Sequence, residues 1–435
     1  MMEWMTPSLL LSALPVAGSI LGFVVWSEPD RVKIWSIIVS LLSLLAVIGT
    51  SGQLILPAEG RLFLYLLPLA ACGSLLGQPV HPEHRLAWLT TLLFLGLGSL
   101  VITSQNFIGQ IALMVILGLI TFLIYWNRNP FWPTSWWGIG TYGLGAFCVA
   151  LAAIAAPPVS SLALLLICAI LLPLVPFHDG YAAALTRLPG SLPSFIVVLL
   201  PAIGLHSLAT VVPSMPDVVV LTITVFALAG ALYGSLKALA QSRVRLLLGY
   251  GSLSFFSIFW WFVASSRTIT PQAVVFLGSV AIVTSGLLVA WQVVRTRYGD
   301  DVDPRSISGL ARRMPQFAVL LSLLALAAMG LPPFGIFAGF MGMLFTTTLT
   351  SGVALAVIVI AWLAASWYIL DVVQRLLFGR QRPELRYEDL RRSEFAALLI
   401  IVLIVIALGV APANMFETKQ PPRAGAIMES VSWNR

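Results

Sequence analysis

The chain is made almost entirely of apolar segments that are each long enough to cross a lipid bilayer. A helix needs about 20 mostly apolar residues to cross the hydrocarbon core, and such runs follow one another with only short loops between them. The composition agrees, because 59% of the residues are hydrophobic, 9% are charged and the mean hydropathy is +0.98. Soluble domains are far more polar. The sequence therefore predicts an all-α, polytopic bundle of transmembrane helices.

The apolar segments can be placed along the sequence before any motif is considered. We draw them at about 8–26, 34–56, 62–79, 86–104, 107–126, 137–156, 159–177, 192–213, 217–239, 246–265, 271–294, 314–331, 334–350, 352–373 and 395–412. The opening residues, MMEWMTPS, have no basic stretch and no small-residue cleavage site. We therefore expect the first segment to be a retained anchor and not a removable signal.

Basic residues predict which face of the membrane is cytoplasmic. They concentrate in alternate loops, and the intervening loops hold little beyond Arg61 and Arg267. Cytoplasmic loops carry an excess of Lys and Arg, so the net charge of +7 reflects topology, and we expect lipid contact and no nucleic-acid binding. The residues that mark the cytoplasmic face are Arg31, Lys33, Arg85, Arg128, Arg187, Arg243, Arg245 and the group from Arg295 to Arg313.

One late loop conflicts with this pattern. FGRQRPELRYEDLRR (378–392) falls on the wrong face if every apolar segment crosses. The conflict disappears if 334–350 and 352–373 are two halves of one discontinuous helix, divided around the Thr-rich stretch at 346–352, which gives about fourteen crossings. Unwound backbone at membrane depth is tolerated only where it is buried in protein or lines a wet cavity, so such a helix points to a transport path.

Two Pro-Phe interruptions occupy comparable positions in the two halves of the chain. VPFHDG at 175–180 contains Pro176, and LPPFGIF at 331–337 contains Pro332 and Pro333. Paired interruptions are typical of inverted repeats. We predict helix breaks at these three prolines.

No cofactor is expected in this chain. Cys72, Cys148 and Cys168 lie in apolar segments without metal-ligand spacing, so we interpret them as core residues. The sequence has no cysteine framework for iron–sulfur clusters, no haem motif and no dinucleotide fingerprint. Any redox chemistry would belong to partner proteins, and whether the chain counts as part of an enzyme stays open.

Lys237 is the first candidate for moving charge across the membrane. It follows the apolar run 218–236, and a cation in hydrocarbon costs about 2.5 to 3.5 kcal/mol on insertion scales. If 237–245 is helical, Lys237, Gln241 and Arg245 share one face. A buried lysine can release its proton, whereas arginine stays charged, so Lys237 would be the switch and Arg245 a fixed charge. The alternatives are a snorkelling lysine and simple loop arginines.

Two histidines and an aspartate are further candidates. His178 follows Pro176 beside Asp179, where an imidazole could serve as a channel entrance, although Asp179 could equally cap a helix. His206 is embedded in an apolar segment and is either a structural residue or a proton site. Asp371 is four residues before Arg375, which suggests either an ion pair or an exit-side proton site. In the functional interpretation, His178 and Asp371 lie near the two openings.

Three stretches together resemble the proton-translocating antiporter-like subunits of respiratory complex I, Mrp cation antiporters, membrane-bound hydrogenases and formate hydrogenlyases. The stretches are PFHDGYAAALTRLPGSLPS at 176–194, ALAQSRVRLLLGYGSLS at 238–254 and MGLPPFGIFAGF at 329–340. Their order and spacing cover roughly residues 86–380. The resemblance implies fourteen helices, two inverted five-helix repeats and a broken helix in each half.

The chain departs from this family at the residues that carry charge. The resemblance implies a Glu in the fifth helix, where this chain has MVILGLITFLIYW at 114–126, and a Lys in the seventh helix, which aligns near Pro201. The central Lys of the eighth helix aligns with Arg245, and an ionisable group after the Pro-Pro motif aligns near Phe340. The signature Trp is Gly180. Lys237 and His206 are then candidates for displaced substitutes.

The resulting hypothesis is a membrane subunit of a complex-I-like or hydrogenase-like assembly that takes part in proton or cation translocation. Its partners would be sister antiporter-like subunits and a peripheral redox or hydratase module, in a bacterial or archaeal inner or plasma membrane. The alternatives are a non-pumping structural subunit of such a complex or of an inorganic-carbon-accumulating complex, and an autonomous transporter. The predicted divisions are 1–85 for N-terminal helices, 86–265 and 271–380 for the repeats, and 381–435 for the C-terminal helix and tail.

Overall fold

The structure is an all-α bundle, as the sequence predicts. This computed structural model describes residues 5–52, 56, 58–104, 107–127, 136–299, 307–346, 352–378 and 388–411, and no strand occurs among them. The helices are α1 (Met5–Gly22), α2 (Pro29–Thr50), α3 (Ala58–Leu76), α4 (Arg85–Thr103), α5 (Phe107–Trp126), α6 (Trp136–Ile154), α7 (Val159–Leu171), α8 (Asp179–Arg187), α9 (Leu192–Val211), α10 (Asp217–Leu239), α11 (Val244–Ser266), α12 (Pro271–Tyr298), α13 (Leu310–Arg313), α14 (Pro315–Ala328), α15 (Gly335–Thr346), α16 (Gly352–Leu377) and α17 (Arg392–Val410).

Fourteen crossings can be counted in the described part of the chain. Ten helices are long and apolar enough to span a membrane by themselves. The helices α1 and α3 are apolar and only slightly shorter, and each provides one more crossing. The last two crossings are interrupted helices, α7 followed by α8 and α14 followed by α15. The predicted bundle of about fourteen helices with discontinuous members is confirmed.

The location predicted for the late interruption is wrong. The helix α16 has 26 residues and spans a membrane without help from its predecessor, so 334–350 and 352–373 are not two halves of one crossing. Residues 347–351 of the Thr-rich stretch lie outside the described residues. The interrupted crossing is α14 with α15, because these helices have only 14 and 12 residues. Counting them as one crossing places the end of α16 and the start of α17 on the predicted face.

Hydrogen bonds between distant helix ends confirm the alternation of the two faces. Lys33 Nζ at the start of α2 donates to Gln78 O after α3 at 2.5 Å, and Arg297 Nη2 at the end of α12 donates to Glu394 Oε2 in α17 at 2.7 Å. On the other side, Arg267 after α11 pairs with Asp217 at the start of α10. We call the side with Lys33, Gln78, Arg297 and Glu394 the arginine-rich face, and the other side the opposite face.

The two helix interruptions are stabilised by the same kind of hydrogen bond. We call residues 172–178 the first break and 329–334 the second break; Pro176 lies in the first, and Pro332 and Pro333 lie in the second. A helix that ends inside a membrane leaves carbonyl groups that need donors. Trp260 Nε1 of α11 donates to Leu172 O, and Trp362 Nε1 of α16 donates to Met329 O, each at 2.9 Å.

Each break lies in the fourth of five successive crossings. The first five run from α4 to α9 and begin at the arginine-rich face, whereas the second five run from α10 to α16 and begin at the opposite face. This order is that of two inverted repeats. It favours a boundary between the two repeats at residues 212–216, between α9 and α10. The predicted division between 265 and 271 stays a prediction.

The helix α12 is at the centre of the bundle. Its most apolar stretch is completely buried, and it packs against α9, α11, α15 and α17. The outer helices α2, α6, α10 and α16 are only about one-third buried and present large apolar side chains outward. Examples of these side chains are Leu45, Phe147, Leu221 and Leu363. This distribution is expected where the surrounding solvent is lipid.

Candidate functional site

Charged side chains are confined to the helix ends in the described part of the chain. Each lies within about two turns of a helix terminus, and only Asp179 among them lies at a terminus inside a crossing, beside the first break. The helix α5, where the family resemblance implies a Glu, has no acidic or basic residue. Phe340 of α15 packs on Trp362 with ring centroids 4.3 Å apart, where an ionisable group is implied. Fixed charge is therefore absent from the middle of these crossings.

The stripe predicted for Lys237, Gln241 and Arg245 does not form. The helix α10 ends at Leu239 and α11 begins at Val244, so the chain reverses direction between the two basic residues. Lys237 is exposed in the last turn of α10, whereas Arg245 is only 8% exposed in the first turn of α11. The two helices pack as a close hairpin because Gly234 has no side chain; a Cβ there would lie 2.7 Å from Tyr250 O.

The structure gathers a polar cluster beside the first break. We define the His178 cluster as His178, Asp179, Tyr233 and Tyr250. The His178 ring lies 5.2 Å from that of Tyr233 and 6.1 Å from that of Tyr250, and the two tyrosine rings are 6.1 Å apart. Lys237 follows Tyr233 by one helical turn, and its charge acts on His178. The cluster thus brings together two candidates that are far apart in sequence.

His178 is a buried imidazole with spare hydrogen-bonding capacity. It is 8% exposed, and neither ring nitrogen makes a hydrogen bond of acceptable geometry to a described residue. The nearest ionic partner is Asp179, whose Oδ1 is 3.5 Å from His178 Nε2. Asp179 is the first residue of α8 and follows the N-cap residue His178, so it places a negative charge in the first turn but is not itself the cap. Tyr233 is 39% exposed and connects the cluster with the outside of the bundle.

A second set of polar side chains extends across the bundle, with all its members at about the same depth in the membrane. We define the hydroxyl row as Tyr142 of α6, Tyr181 of α8, Ser252 of α11 and Tyr368 of α16. Tyr181 Oη and Ser252 Oγ are 2.9 Å apart, the Tyr142 ring packs against Gly180, and Tyr368 Oη packs against Gly251. At 1.5 Å per residue, all four lie about 9 to 14 Å from the arginine-rich ends of their helices. The row therefore runs along the plane of the membrane.

The remaining candidates lie apart from these groups. His206 is partly buried in α9, toward the opposite face, and its Nδ1 has no hydrogen-bond partner among the described residues. Arg375 Nε donates to Asp371 Oδ1 at 2.8 Å, which is the ion pair that their spacing predicts. His178 and Asp371 were expected near two openings, but both lie on the arginine-rich side of the bundle, because α8 and α16 both run toward that face.

The structure also corrects the helix numbers attached to the family positions. The seventh crossing is α7 with α8, so Pro201 belongs to the eighth crossing and Arg245 begins the tenth. The signature Trp could not fit at Gly180, because even a Cβ there would lie 2.9 Å from Thr141.

Tyr233, Tyr250 and the hydroxyl row are the residues that sequence reasoning missed. The one indication in the sequence was that Tyr233 precedes Lys237 by four residues, which places both side chains on the same face of a helix. Aromatic residues are common enough in membrane helices to hide the others.

A comparison with known families settles the relationship. Residues 105–365, more than half of the chain, match the family described as "NADH:quinone oxidoreductase/Mrp antiporter, TM". The chain belongs to this family. It is accordingly an integral membrane protein, and the resemblance noted in its motifs is confirmed.

Relatives of this antiporter-family chain include subunits of larger complexes. The F(420)H(2) dehydrogenase subunit M of Methanosarcina mazei is 26% identical over 256 residues, which is 57% of this chain and 51% of the relative. The chain thus spans about half the length of that relative.

Solved structures share the fold at lower identity. A chain of respiratory complex I from Thermus thermophilus has a TM-score of 0.76 at 19% identity, with 94% of this chain and 98% of that chain covered. A chain of the membrane-bound sulfane sulfur reductase, an archaeal respiratory membrane complex, has a TM-score of 0.78 at 17% identity, with 94% and 95% covered. The antiporter-family chain therefore has the fold of these subunits.

Proposed function

We propose that this chain is a membrane subunit of a multi-subunit respiratory or hydrogenase-like complex and that it takes part in proton or cation translocation. Family membership and the names of the relatives support the general role. The observation that carries the proposal is His178, a buried imidazole beside a broken helix whose ring nitrogens lie near Asp179 but make no hydrogen bond of acceptable geometry to a described residue. Sister antiporter-like subunits and a peripheral redox module are the proposed partners.

The chemistry assigned to the cluster follows from its residue types. Imidazole gains and loses a proton near neutral pH, and hydroxyl groups both donate and accept hydrogen bonds. Protons would enter from the arginine-rich face past Lys237 and Asp179, reach His178, and pass along tyrosine and serine hydroxyls. His206 is the proposed group on the opposite side. Lys237 then collects protons at the edge of the membrane, and Arg245 remains a fixed charge.

A His178→Phe variant tests this proposal. We expect proton uptake by the complex that copurifies with this chain, reconstituted in liposomes with a pH-sensitive dye, to fall at least tenfold. The replacement keeps an aromatic ring but has no group that can carry a proton. His81→Phe is the matched control, because His81 lies in an exposed loop at the arginine-rich face. Normal uptake in an intact His178→Phe complex would refute the role of the imidazole.

A non-pumping structural subunit is the second candidate. Apart from Asp179 at the first break, charged side chains are absent from the middle of the described crossings, which favours it, since charged groups in membranes usually mark proton relays. This function predicts that His178→Phe and Lys237→Met both leave uptake unchanged. Bulky substitutions on the outward apolar faces, such as Leu221→Trp on α10, would instead prevent assembly.

A further inference from the structure

A small polar cavity lies between α3, α9, α11 and α12 near the arginine-rich face. Its walls include Gly190, Ser191, Ser194, Arg245 and Gln292, and its volume is about 10 Å³. A cavity of this size holds about one water-sized particle. It is separate from the His178 cluster and from the hydroxyl row, none of whose residues line it.

The cavity contains a buried positive charge without a negative partner among the described residues. Arg245 is 8% exposed and bonds only to neutral oxygens, Thr186 O at 3.3 Å and Gln292 Oε1 at 3.5 Å. Burying a charge without a counter-ion is costly. An anion in the cavity would remove this cost.

Gln78 supplies an oriented donor directly behind Gly190, a residue of the cavity wall. The side chain is completely buried, and its Oε1 accepts hydrogen bonds from Trp88 Nε1 at 2.8 Å and from Ser191 Oγ at 2.7 Å. These two bonds fix the orientation of the amide, and they leave Nε2 without a partner. Nε2 faces Gly190, where a Cβ would lie only 2.1 Å away, so this position also requires glycine.

The backbone adds positive potential from a third direction. The helix α9 begins at Leu192, directly after Ser191, so the positive end of its dipole borders the cavity; Leu192 N and Ser194 N donate to Pro189 O and Ser191 O, and Pro193 has no N–H. Helix N-termini favour bound anions. Gly190 has a φ of +56°, a left-handed conformation that turns the chain into this helix.

We infer that this cavity binds one small monovalent anion, with chloride as the species that fits. Arg245 and the N-terminus of α9 line the cavity, the amide of Gln78 lies directly behind its Gly190 wall, and no described carboxylate competes for Arg245. Phosphate, sulfate and bicarbonate contain several heavy atoms and are too large for the volume. The anion would hold the start of α11 against α3 and α9.

Replacement of chloride tests the inference on the purified full-length chain or its complex. We expect the Tm to rise by about 2 °C, with saturation, when chloride replaces gluconate at constant ionic strength. Arg245→Gln and Gln78→Leu should both abolish the rise. Arg243→Gln is the matched control, because Arg243 lies two residues away and does not line the cavity.

Bromide provides a second measurement that needs no variant. Crystals grown in sodium bromide should show an anomalous difference peak in the cavity. A cavity that contains only water, with no bromide peak and equal Tm in chloride and gluconate, would overturn the assignment. This outcome is distinct from a failure of the proposed transport role, because neither readout involves proton uptake.

Discussion

At the scale of single residues, the hydroxyl groups of two buried tyrosines are expected to have opposite effects on the stability of the fold. Tyr181 Oη bonds to Ser252 Oγ, whereas the fully buried Tyr142 Oη has no partner among the described residues. A buried polar atom without a partner destabilises the fold, and a satisfied one stabilises it modestly. The structure thus distinguishes two chemically identical side chains.

The variants Tyr181→Phe and Tyr142→Phe test this difference. We expect Tyr181→Phe to lower the free energy of unfolding by about 1 kcal/mol, because Ser252 keeps only its bond to Gly249 O. Tyr142→Phe should leave it unchanged or raise it by up to about 1 kcal/mol. Thermal unfolding in detergent measures both. Equal destabilisation by the two variants would contradict the hydrogen-bond pattern of the hydroxyl row.

The sequence identifies the ionisable half of the site but not its hydroxyl half. His178 could be singled out because a histidine beside Pro176 is unusual inside an apolar segment. Tyr233 and Tyr250 could not, because their roles depend on α10 and α11 folding back on each other beside α8. The placement of Lys237 and Arg245 on one face failed for the same reason: the turn between them separates residues that are close in sequence.

At the scale of helices, the two breaks are stabilised by one tryptophan each. Trp260 is the donor described for Leu172 O, while Met329 O has Trp362 at 2.9 Å and also Ser366 Oγ at 3.4 Å. The second break therefore has a spare donor. The consequences of losing each tryptophan should differ.

We expect Trp260→Phe to destabilise the protein more than Trp362→Phe does. The first variant leaves Leu172 O unsatisfied inside the bundle and opens space at a buried side chain, at a cost of about 2 to 4 kcal/mol. The second should cost less, because Ser366 can replace the indole. Trp137→Phe, at an exposed position of α6, is the control and should have little effect. Thermal unfolding provides the comparison, and a larger loss at Trp362 would contradict it.

Helix positions follow well from hydropathy, and their interruptions follow less well. The prolines at 176, 332 and 333 predict non-helical segments, because proline lacks the backbone donor and clashes with the preceding turn. The Thr-rich stretch at 346–352 was a poor signal of a half-helix. The positions of the arginine-rich loops require one crossing fewer than the number of apolar segments. Counting α14 and α15, which the Pro-Pro break separates, as one crossing meets this requirement.

At the scale of the whole molecule, one buried ion pair attaches the last crossing to the centre. Arg297 of α12 and Glu394 of α17 are 9% and 3% exposed, and Arg297 also donates to Asp389 O in the loop before α17. The pair of Arg375 with Asp371 has similar geometry but is about 40% exposed. Because the two pairs have the same charges and differ in burial, comparing them shows how burial changes the contribution of an ion pair to stability.

Glu394→Gln should destabilise the bundle far more than Asp371→Asn. Removal of one partner of a buried pair leaves an uncompensated charge and costs about 3 to 5 kcal/mol. An exposed pair contributes about 0 to 1 kcal/mol. We expect Glu394→Gln to make α17 susceptible to limited proteolysis and Asp371→Asn to leave the digestion pattern unchanged. Equal protection of α17 in both variants would show that the buried pair does not hold this helix.

The whole-molecule features were largely predictable, since hydrophobic length sets the number of crossings and the arginine pattern sets their direction. The buried contacts of Lys33, Gln78, Arg297 and Glu394 were not, because they join helix ends that lie far apart in the sequence.

The placement of charge has a consequence for the response to voltage. An electric field across a membrane does work only on charge that moves through it, about 2.3 kcal/mol per elementary charge for every 100 mV. Apart from Asp179 at the first break, the described crossings carry their charges near the two surfaces, so a rearrangement of the other helices would move almost none of it through the field. We therefore expect conformational changes of this subunit to be nearly independent of membrane potential, even if the complex around it is driven by that potential.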